Sequence, residues 1–359
     1  MVYDIIIIGA GPAGSTLARL LGKVYNILLI DKRDLRENSS SRGNIKCCGG
    51  LLAPDAQKML SKFGLGLPKS VLVDPQLFVV RAIDLEHNLE RYYQRYYLNI
   101  DRFKFDKWLV SLIPEEVESK FNCSFKSYQV EQKYISVVFS QKDREVTAKT
   151  KILVGADGAS SLVRRLSCGG GDVFKSYLSI QEWVKPEQKL PYFSTIFDSD
   201  LTDYYCWTIP KEDKMIIGGV FYPRENATEK FRLLKDKLRN YGYVFNNTED
   251  QEGSLIIRPN CLIKYPPLND NMALIGEAGG WIRPSSSEGL SYAFKSSLLL
   301  AGSLSRSFDH GVKIFRRRTK YLKKNLFFKS FKSFFIYSPA MRKIIMNSGL
   351  QSIRIYKFR

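Results

Sequence analysis

The sequence predicts an α/β fold in which a parallel βαβ unit is interleaved with an antiparallel-sheet lobe and followed by a helical C-terminal tail. The chain opens with an apolar strand, a glycine-rich turn, a helical stretch and a second strand. Later stretches alternate apolar and polar residues with a period of two, as strands with one buried face do. The length of 359 residues favours more than one lobe.

The opening βαβ unit is the most specific pattern in the chain. An apolar strand from Val2 to Ile8 leads into Gly9-Ala10-Gly11-Pro12-Ala13-Gly14 and a helical stretch from Ser15 to Leu21. A second strand, Ile27 to Ile30, then ends at Asp31. The order of strand, G-x-G-x-x-G turn, helix, strand and acid is typical of a dinucleotide-binding unit.

Each glycine of this turn has a separate task in such a unit. Gly9 allows the tight turn, Gly11 lets the backbone approach a pyrophosphate, and Gly14 lets helix and strand pack closely. The helix N-terminus then directs its amide groups at the phosphates, and an acid in the place of Asp31 binds a ribose. We therefore predict a cofactor site that also includes Pro12, Ala13 and Lys32.

The formal charge of +19 is concentrated at one end of the chain. From Gly311 to Arg359 there are fourteen Lys and Arg residues and no Asp or Glu, which leaves 41 basic and 36 acidic residues before that point. The body therefore has a net charge of only +5, and its composition does not indicate a nucleic-acid-binding protein.

The two histidines, His87 and His310, are far apart in the sequence. This argues against a histidine-based metal site and against a serine-histidine-acid hydrolase, so we predict no metal and expect the chemistry to come from a cofactor. Six cysteines in a chain of this size indicate a reduced compartment. With no leader pattern and no apolar stretch of membrane-spanning length, we expect a cytoplasmic protein.

Three further segments resemble motifs of one FAD enzyme superfamily. Gly155-Ala156-Asp157-Gly158 follows an apolar strand and is similar to its GADG motif. Glu277-Ala278-Gly279-Gly280 and the later Glu288-Gly289-Leu290 follow another strand and resemble its GDAAG and GEG motif, with Glu277 and Ser287 where the family has Asp and Gly. The segment from Asp101 to Leu109 resembles its R-x-x-F-D-x-W-L helix.

On these motifs the chain is identified as a member of the FAD-dependent oxidoreductases related to p-hydroxybenzoate hydroxylase. The resemblance implies FAD as cofactor and implies contacts to it from Asp157, Gly158, Glu277, Gly289, Leu290 and Arg102. Because the chain shows one dinucleotide-binding unit, NAD(P)H would bind transiently, or a reduced electron carrier would supply the electrons.

Two segments point to a branch of that superfamily. The segment from Arg42 to Leu51 resembles the K-x-C-G-G motif of geranylgeranyl reductases, with Lys46, Cys48, Gly49 and Gly50 matching, and it implies that Arg42, Cys48, Gly49 and Gly50 lie at the cofactor. Tyr205-Cys206-Trp207-Thr208-Ile209-Pro210 resembles their Y-x-W-x-F-P substrate-cavity motif, and it also resembles the W-x-W-x-I-P motif of halogenases.

The alternation of a strand places Tyr205, Trp207 and Ile209 on one face. With Pro210 they could wall an apolar substrate cavity, or they could be ordinary sheet core. Cys48 beside two glycines is a candidate thiol of lowered pKa, or a small residue in a tight loop. Cys48 and Tyr205 are the candidate catalytic proton donors.

Three functions remain open at this point. The first is reduction of carbon–carbon double bonds in an isoprenoid or other apolar substrate. The second is a flavin-dependent monooxygenase or halogenase, and the third is a non-catalytic electron carrier. In each case we expect a small-molecule, apolar partner, no nucleic acid and a monomeric protein.

The predicted division of the chain is discontinuous. The tail alternates basic clusters with Phe, Leu and Ile, so it could lie on an anionic membrane surface, pack onto the flavin domain, or form a basic funnel for an anionic substrate. We predict an FAD-binding domain at 1–70, 98–165 and 266–305, a substrate-binding β-sheet lobe at 71–97 and 166–265, and a basic helical tail at 306–359.

Overall fold

The computed structural model describes residues 2–36, 46–142, 144–188, 190–259, 266 and 268–356. Its strands are β1 (Val2–Ile8), β2 (Ile27–Ile30), β3 (Leu51–Leu52), β4 (Leu77–Asp84), β5 (Leu89–Asn99), β6 (Glu118–Lys120), β7 (Cys123–Val130), β8 (Ile135–Gln141), β9 (Arg144–Gly155), β10 (Lys175–Pro186), β11 (Phe193–Phe197), β12 (Cys206–Lys211), β13 (Lys214–Phe221), β14 (Phe245–Arg258) and β15 (Met272–Leu274). Its α-helices are α1 (Pro12–Leu21), α2 (Pro54–Lys62), α3 (Arg102–Ser111), α4 (Leu162–Ser167), α5 (Ala227–Asn240), α6 (Leu290–Leu304), α7 (Gly311–Tyr337) and α8 (Pro339–Ser348).

The first sheet brings the predicted cofactor motifs to one edge. Its order is β6-β2-β1-β9-β8-β7, with β15 also paired to β9. β1 is parallel to β2 and to β9, and Ile8 is in register with Ile30 and Gly155. β15 is parallel to β9, with Leu274 opposite Gly155. The turns that follow these four strands therefore meet at their common carboxyl edge, where ligands bind in open α/β sheets.

The second sheet is the predicted antiparallel lobe. Its order is β14-β10-β13-β12-β11-β4-β5-β3, and within it only the β11–β4 pair is recorded as parallel among the described strands. β3 lies inside the segment predicted for the FAD domain but pairs with β5 of this sheet. One face packs on α5 through Phe231, Leu234 and Leu238, and the opposite face carries the predicted cavity residues.

Helix α1 begins three residues earlier than the sequence pattern predicts. The predicted helical stretch begins at Ser15, after the glycine-rich run, whereas the helix starts at Pro12 with Gly11 as its N-cap. Proline at the first helical position has a suitable fixed φ and lacks only an N–H that would have no partner within the helix. Asp101 is the N-cap of α3, since its side chain accepts a hydrogen bond from the Lys104 N–H at 3.0 Å.

The C-terminal tail forms two helices that contact the body. On one side of α7, Val312, Phe315, Leu322 and Leu326 are buried. On α8, the buried Arg342 forms ion pairs with Asp84 and Glu86 at 2.8 and 2.6 Å. Of the three interpretations of the tail, the structure shows the packed one for this side of α7. Within the described residues, no helix is both long enough and apolar enough to cross a membrane.

Candidate functional site

Two glycines of the glycine-rich turn leave no room for a side chain, and the third faces open space. Gly9 has a φ of +104°, and a Cβ there would lie 2.5 Å from the Ala156 carbonyl oxygen. A Cβ on Gly14 would lie 1.8 Å from the Gly9 carbonyl oxygen. At Gly11 the nearest atom to such a Cβ is Nη2 of Arg33, 3.8 Å away. The space beside Gly11 is therefore where a cofactor can approach the backbone.

The acid at the end of β2 is buried and engaged by the protein itself. Asp31 Oδ2 accepts a hydrogen bond from the Ala10 N–H at 2.6 Å, and the Arg33 guanidinium lies 3.1 Å from the same oxygen. Lys32, predicted as a cofactor contact, is exposed. The neighbouring Arg33 is the basic residue that faces the turn, and no local pattern in the sequence favours Arg33 over Lys32.

A row of alternating charges runs from this turn to the predicted thiol. Arg33 Nη1 lies 3.3 Å from Asp106 Oδ2, and Arg102 Nε lies 2.8 Å from Asp106 Oδ1. Arg102 Nη1 then donates a hydrogen bond to Cys48 Sγ at 3.4 Å. Burial by itself would raise the pKa of the Asp106 carboxyl, but Arg102 and Arg33 hold it below its usual value. Arg102, predicted as a cofactor contact, thus acts on Cys48.

The pKa values of the two adjacent cysteines, Cys47 and Cys48, are shifted in opposite directions. Burial would raise the pKa of the Cys48 thiol, but Arg102, the Gly50 backbone and Lys46 favour the thiolate and the pKa is lowered. Burial, Glu252 and Cys48 itself raise the pKa of Cys47 to about 12. Of the two thiols, Cys48 is therefore the one that more readily forms the thiolate. Arg42, predicted at the cofactor, lies outside the described residues.

The Asp-Gly turn after β9 begins helix α4. Asp157 Oδ2 accepts hydrogen bonds from the N–H groups of Leu162 and Val163 at 2.8 and 3.3 Å. Gly158 has a φ of +78° and nothing within 4 Å of its Cβ position. Such open space allows a ligand to contact the backbone closely.

Arg164 joins this turn to the late acidic turn. Its side chain is 0% exposed, and it donates hydrogen bonds to the carbonyl oxygens of Ala159 and, at 2.9 Å, Ala278. It also forms an ion pair with Asp172 at 2.7 Å. Two segments separated by more than a hundred residues therefore share one buried cation. The sequence shows Arg164 only as one of two adjacent arginines.

The late turn connects the thiol segment to the second sheet. Glu277 lies in a 3-10 turn, Gly276–Gly279, and its Oε2 accepts a hydrogen bond from Lys46 Nζ at 3.1 Å. Its Oε1 accepts one from the Ile257 N–H at 3.2 Å. Gly289 is the N-cap of α6 and makes no side-chain cap, so the amide groups that start at Leu290 are available to a ligand.

Four tyrosines hold the loop that precedes α6. Ser287 has a φ of +50°, a conformation that favours glycine, and the Tyr204 hydroxyl oxygen accepts hydrogen bonds from both its N–H and its Oγ. This explains how serine stands where the family motif has glycine. The loop is further bound by Tyr205 to the Ser286 carbonyl at 2.8 Å, by Tyr337 to the Ser285 carbonyl at 2.6 Å, and by Tyr97 to Glu288 at 2.6 Å.

The predicted cavity residues share one face, as the alternation indicates. Tyr205, Trp207 and Ile209 belong to one apolar cluster, and Cys206 belongs to the cluster on the opposite face. The Tyr205 and Trp207 rings have centroids 5.6 Å apart. Pro210, at the end of the motif, accepts a hydrogen bond from Asn99 through its carbonyl at 2.8 Å. This face is directly packed against the thiol segment, because a Cβ on Gly49 would lie 2.5 Å from Ile209 Cδ1.

The residues present fit a bound flavin dinucleotide. The space beside Gly11 is open, and Trp207 Nε1 is buried with no hydrogen-bond partner in the part of the chain that the structure describes. FAD would be held by the turn at Gly9–Gly14, by the Asp157-Gly158 turn and by the start of α6. In the same order these features lie after β1, β9 and β15.

Lys211 is a buried site residue that motif analysis missed. Its Nζ donates hydrogen bonds to the carbonyls of Gly50 and Ile100 at 3.1 and 2.9 Å. Burial lowers its pKa to about 7, and the charges of Cys48 and Asp101 only partly oppose the shift. The feature of the sequence that could have identified Lys211 is its position directly after Pro210, the last residue of the predicted cavity motif.

The lowered pKa of Lys211 predicts that the stability of the protein depends on pH. Between about pH 7 and the ordinary lysine pKa the folded protein binds fewer protons at Lys211 than the unfolded chain, so the free energy of unfolding rises with pH by up to ~1.4 kcal/mol per unit. Below pH 7 both states are protonated and the effect is constant. We expect Lys211→Met to remove this rise, which urea unfolding of both proteins at several pH values measures. If the free energy of unfolding changed with pH equally in the wild type and in Lys211→Met, the lowered pKa of Lys211 would be contradicted.

The comparison with known proteins gives the family. No family model matches the chain. Protein CbrA of Escherichia coli (strain K12) is 38% identical over 351 residues, which cover 98% of each chain. Protein CbrA of Shigella sonnei (strain Ss046) matches to the same extent. The chain belongs to the CbrA family.

Solved structures confirm the fold predicted for this CbrA-family chain. A geranylgeranyl bacteriochlorophyll reductase-like protein from Thermoplasma acidophilum has a TM-score of 0.77 at 18% identity, over 98% of this chain and 90% of that one. The probable FAD-dependent monooxygenase PqsL from Pseudomonas aeruginosa has a TM-score of 0.70 at 19% identity, over 98% and 100%. The flavin-dependent brominase Bmp2 has a TM-score of 0.69 at 18% identity, over 97% and 93%.

These similarities confirm the α/β fold class for the CbrA-family chain. They include a reductase-like protein, a monooxygenase and a brominase. The fold therefore does not choose among these reactions, and the choice depends on the side chains of the site.

Proposed function

We propose that this protein uses FAD to reduce carbon–carbon double bonds in an apolar, isoprenoid-like substrate. The observation that carries the proposal is the Cys48 thiol, whose pKa is lowered beside Arg102 and whose loop packs on the apolar face of Trp207 and Ile209. FAD supplies hydride transfer when it is bound. Reduction of a double bond also needs a proton at the second carbon, and an acidic thiol beside an apolar surface can supply it.

Of the two candidate donors, Cys48 is the better acid. Burial raises the pKa of the Tyr205 hydroxyl well above its usual value, and this hydroxyl already donates its hydrogen bond to the Ser286 carbonyl. We assign Tyr205 to holding the loop before α6 and to the wall of the cavity, together with Trp207, Ile209 and Pro210. NAD(P)H or a reduced carrier is the proposed electron source, since one dinucleotide-binding βαβ unit is present in the described residues.

The experiment is anaerobic photoreduction of the FAD-loaded protein, followed by mixing with polyprenyl alkenes in the absence of oxygen. We expect the flavin absorbance to return as the alkene is reduced. Cys48→Ala should slow this reoxidation about 100-fold, the usual order of a lost proton donor. Cys47→Ala, which removes a thiol of raised pKa, is the matched control and should change the rate little. Flavin content of both variants checks that the site is intact.

A halogenase is the second candidate, and Lys211 favours it. Halogenases of the superfamily need a lysine beside the substrate, and Lys211 is a buried amine with a pKa of about 7 directly after the shared motif. If reduced protein consumes oxygen in a substrate-dependent way and is not reoxidised by any alkene, the reductase proposal is wrong and this candidate or a monooxygenase replaces it. Reoxidation by neither would favour an electron carrier.

A further inference from the structure

The outer side of α7 exposes four phenylalanines. Phe327, Phe328, Phe331 and Phe334 are 50%, 57%, 64% and 67% exposed. We call them the aromatic face of α7. Their spacing places them on one side of the helix, opposite Leu322, Leu326 and Ser333, which are buried. Packing on the body therefore fixes this helix with its aromatic face outward. Monomeric proteins rarely expose such a patch unless something binds there.

The same side of α7 is basic about one to three turns earlier. Arg317, Lys320 and Lys324 are exposed, and their spacing continues the side that carries Phe327, Phe328 and Phe331. We call these three residues the basic face. From Gly311 to the C-terminus the chain has fourteen Lys and Arg and no Asp or Glu. A partner that covers this side must therefore be apolar at one end and negatively charged at the other.

We propose that the outer side of α7 docks on a lipid bilayer containing anionic phospholipids. The aromatic face would enter the boundary between headgroups and acyl chains, and the basic face would lie against lipid phosphates. A helix with grouped aromatic residues and neighbouring cations on one side has the chemistry of an interfacial membrane helix. Charge complementarity selects the anionic bilayer over a neutral one, and the grouping of the phenylalanines gives the apolar part of the contact.

The docked helix ends at the candidate site. Tyr337, the last residue of α7, donates its hydroxyl to the Ser285 carbonyl at 2.6 Å and packs against Tyr204 with ring centroids 5.1 Å apart. The membrane surface would thus be connected through one helix to the loop before α6. Entry of an apolar substrate from the bilayer follows only if the proposed function also holds, whereas docking itself does not depend on it.

Vesicle sedimentation of the full FAD-loaded chain tests the docking without any turnover. The probes are vesicles of phosphatidylcholine alone and of phosphatidylcholine with about one third phosphatidylglycerol, a fraction chosen to give a clearly negative surface potential. We expect binding to the anionic vesicles that weakens as salt is raised, and little binding to the neutral ones. Binding that is absent, equal on both vesicles or indifferent to salt would overturn the proposal.

Two sets of substitutions separate the two faces. R317E/K320E/K324E should weaken binding to anionic vesicles at least about 100-fold, and F327S/F328S/F331S/F334S should weaken it at least about 10-fold. The matched control K23E/K126E/R144E reverses three charges at exposed positions of the first lobe and should retain most of the binding. Equal losses in the control and in the basic-face variant would contradict a specific docking side.

A second copy of this chain is the alternative partner that could cover the aromatic face. Light scattering of the wild type should give a monomer in the absence of lipid. A dimer that the phenylalanine variant converts to a monomer would show that a second copy covers this face and would overturn the proposal. Flavin content of each variant shows that it is folded, and the salt dependence of the wild type remains a test if a variant is not.

Discussion

Gly11→Ala will leave the protein folded and will remove most of its affinity for FAD. The backbone at Gly11 has a φ of −67°, which alanine adopts without strain, and the nearest atom to its Cβ is 3.8 Å away. The methyl group would instead fill the space where the backbone meets the pyrophosphate. Losing two charge-assisted hydrogen bonds at ~1.5 kcal/mol each weakens Kd about 100-fold. Titration of the apoprotein with FAD measures it.

The control for this substitution is Gly66→Ala. Gly66 has nothing within 4 Å of its Cβ position and no left-handed φ, so alanine there should change neither stability nor FAD affinity. Thermal unfolding of both apoproteins should agree with that of the wild type. If Gly11→Ala bound FAD as tightly as the wild type does, the glycine-rich turn would not be the pyrophosphate site.

Arg164→Leu should produce the largest loss of stability among the site residues. The guanidinium is fully buried and binds the carbonyls of Ala159 and Ala278 as well as Asp172. Leucine would leave two carbonyls and a carboxylate without their partner, and breaking a buried ion pair in this way costs ~3–5 kcal/mol. Denaturant unfolding of the apoprotein measures the free energy of unfolding.

The adjacent Arg165→Leu is the matched control. Arg165 is exposed, and its contact is a 3.4 Å hydrogen bond to the Ser160 carbonyl, so its removal should change the free energy by less than ~0.5 kcal/mol. Arg164→Leu should also retain less FAD, because the turns after β9 and β15 are no longer held together. Similar stabilities of the two variants would show that Arg164 does not join the turns.

The sequence predicts well those parts of the fold whose signal is local. β1 and β2 have the predicted bounds because uninterrupted apolar runs flank a turn of unmistakable composition. The single face shared by Tyr205, Trp207 and Ile209 follows from strand alternation alone. The predicted start of α1 was wrong by three residues, because the last part of the glycine-rich run, from Pro12 to Gly14, is already helical.

The parts of the site that sequence reasoning missed depend on contacts between distant segments. No local pattern shows that Arg33, rather than Lys32, faces the glycine-rich turn and meets Asp106 on α3. In the sequence Arg164 looks like an ordinary helical arginine, and only the folded chain places the Ala278 carbonyl next to it. Lys211 reads as a strand-end lysine until Gly50 and Ile100 surround it.

The hydrogen bond between Tyr337 and the Ser285 carbonyl makes the C-terminal helix α7 a structural part of the candidate site. Cutting the chain before α7 would remove Tyr337 from the loop before α6 and expose the Tyr204 ring that packs against it. Truncation therefore cannot test the proposed lipid docking separately from the proposed chemistry. They can be tested separately only by substituting side chains on the outer side of α7, because its inner side must remain packed on the body.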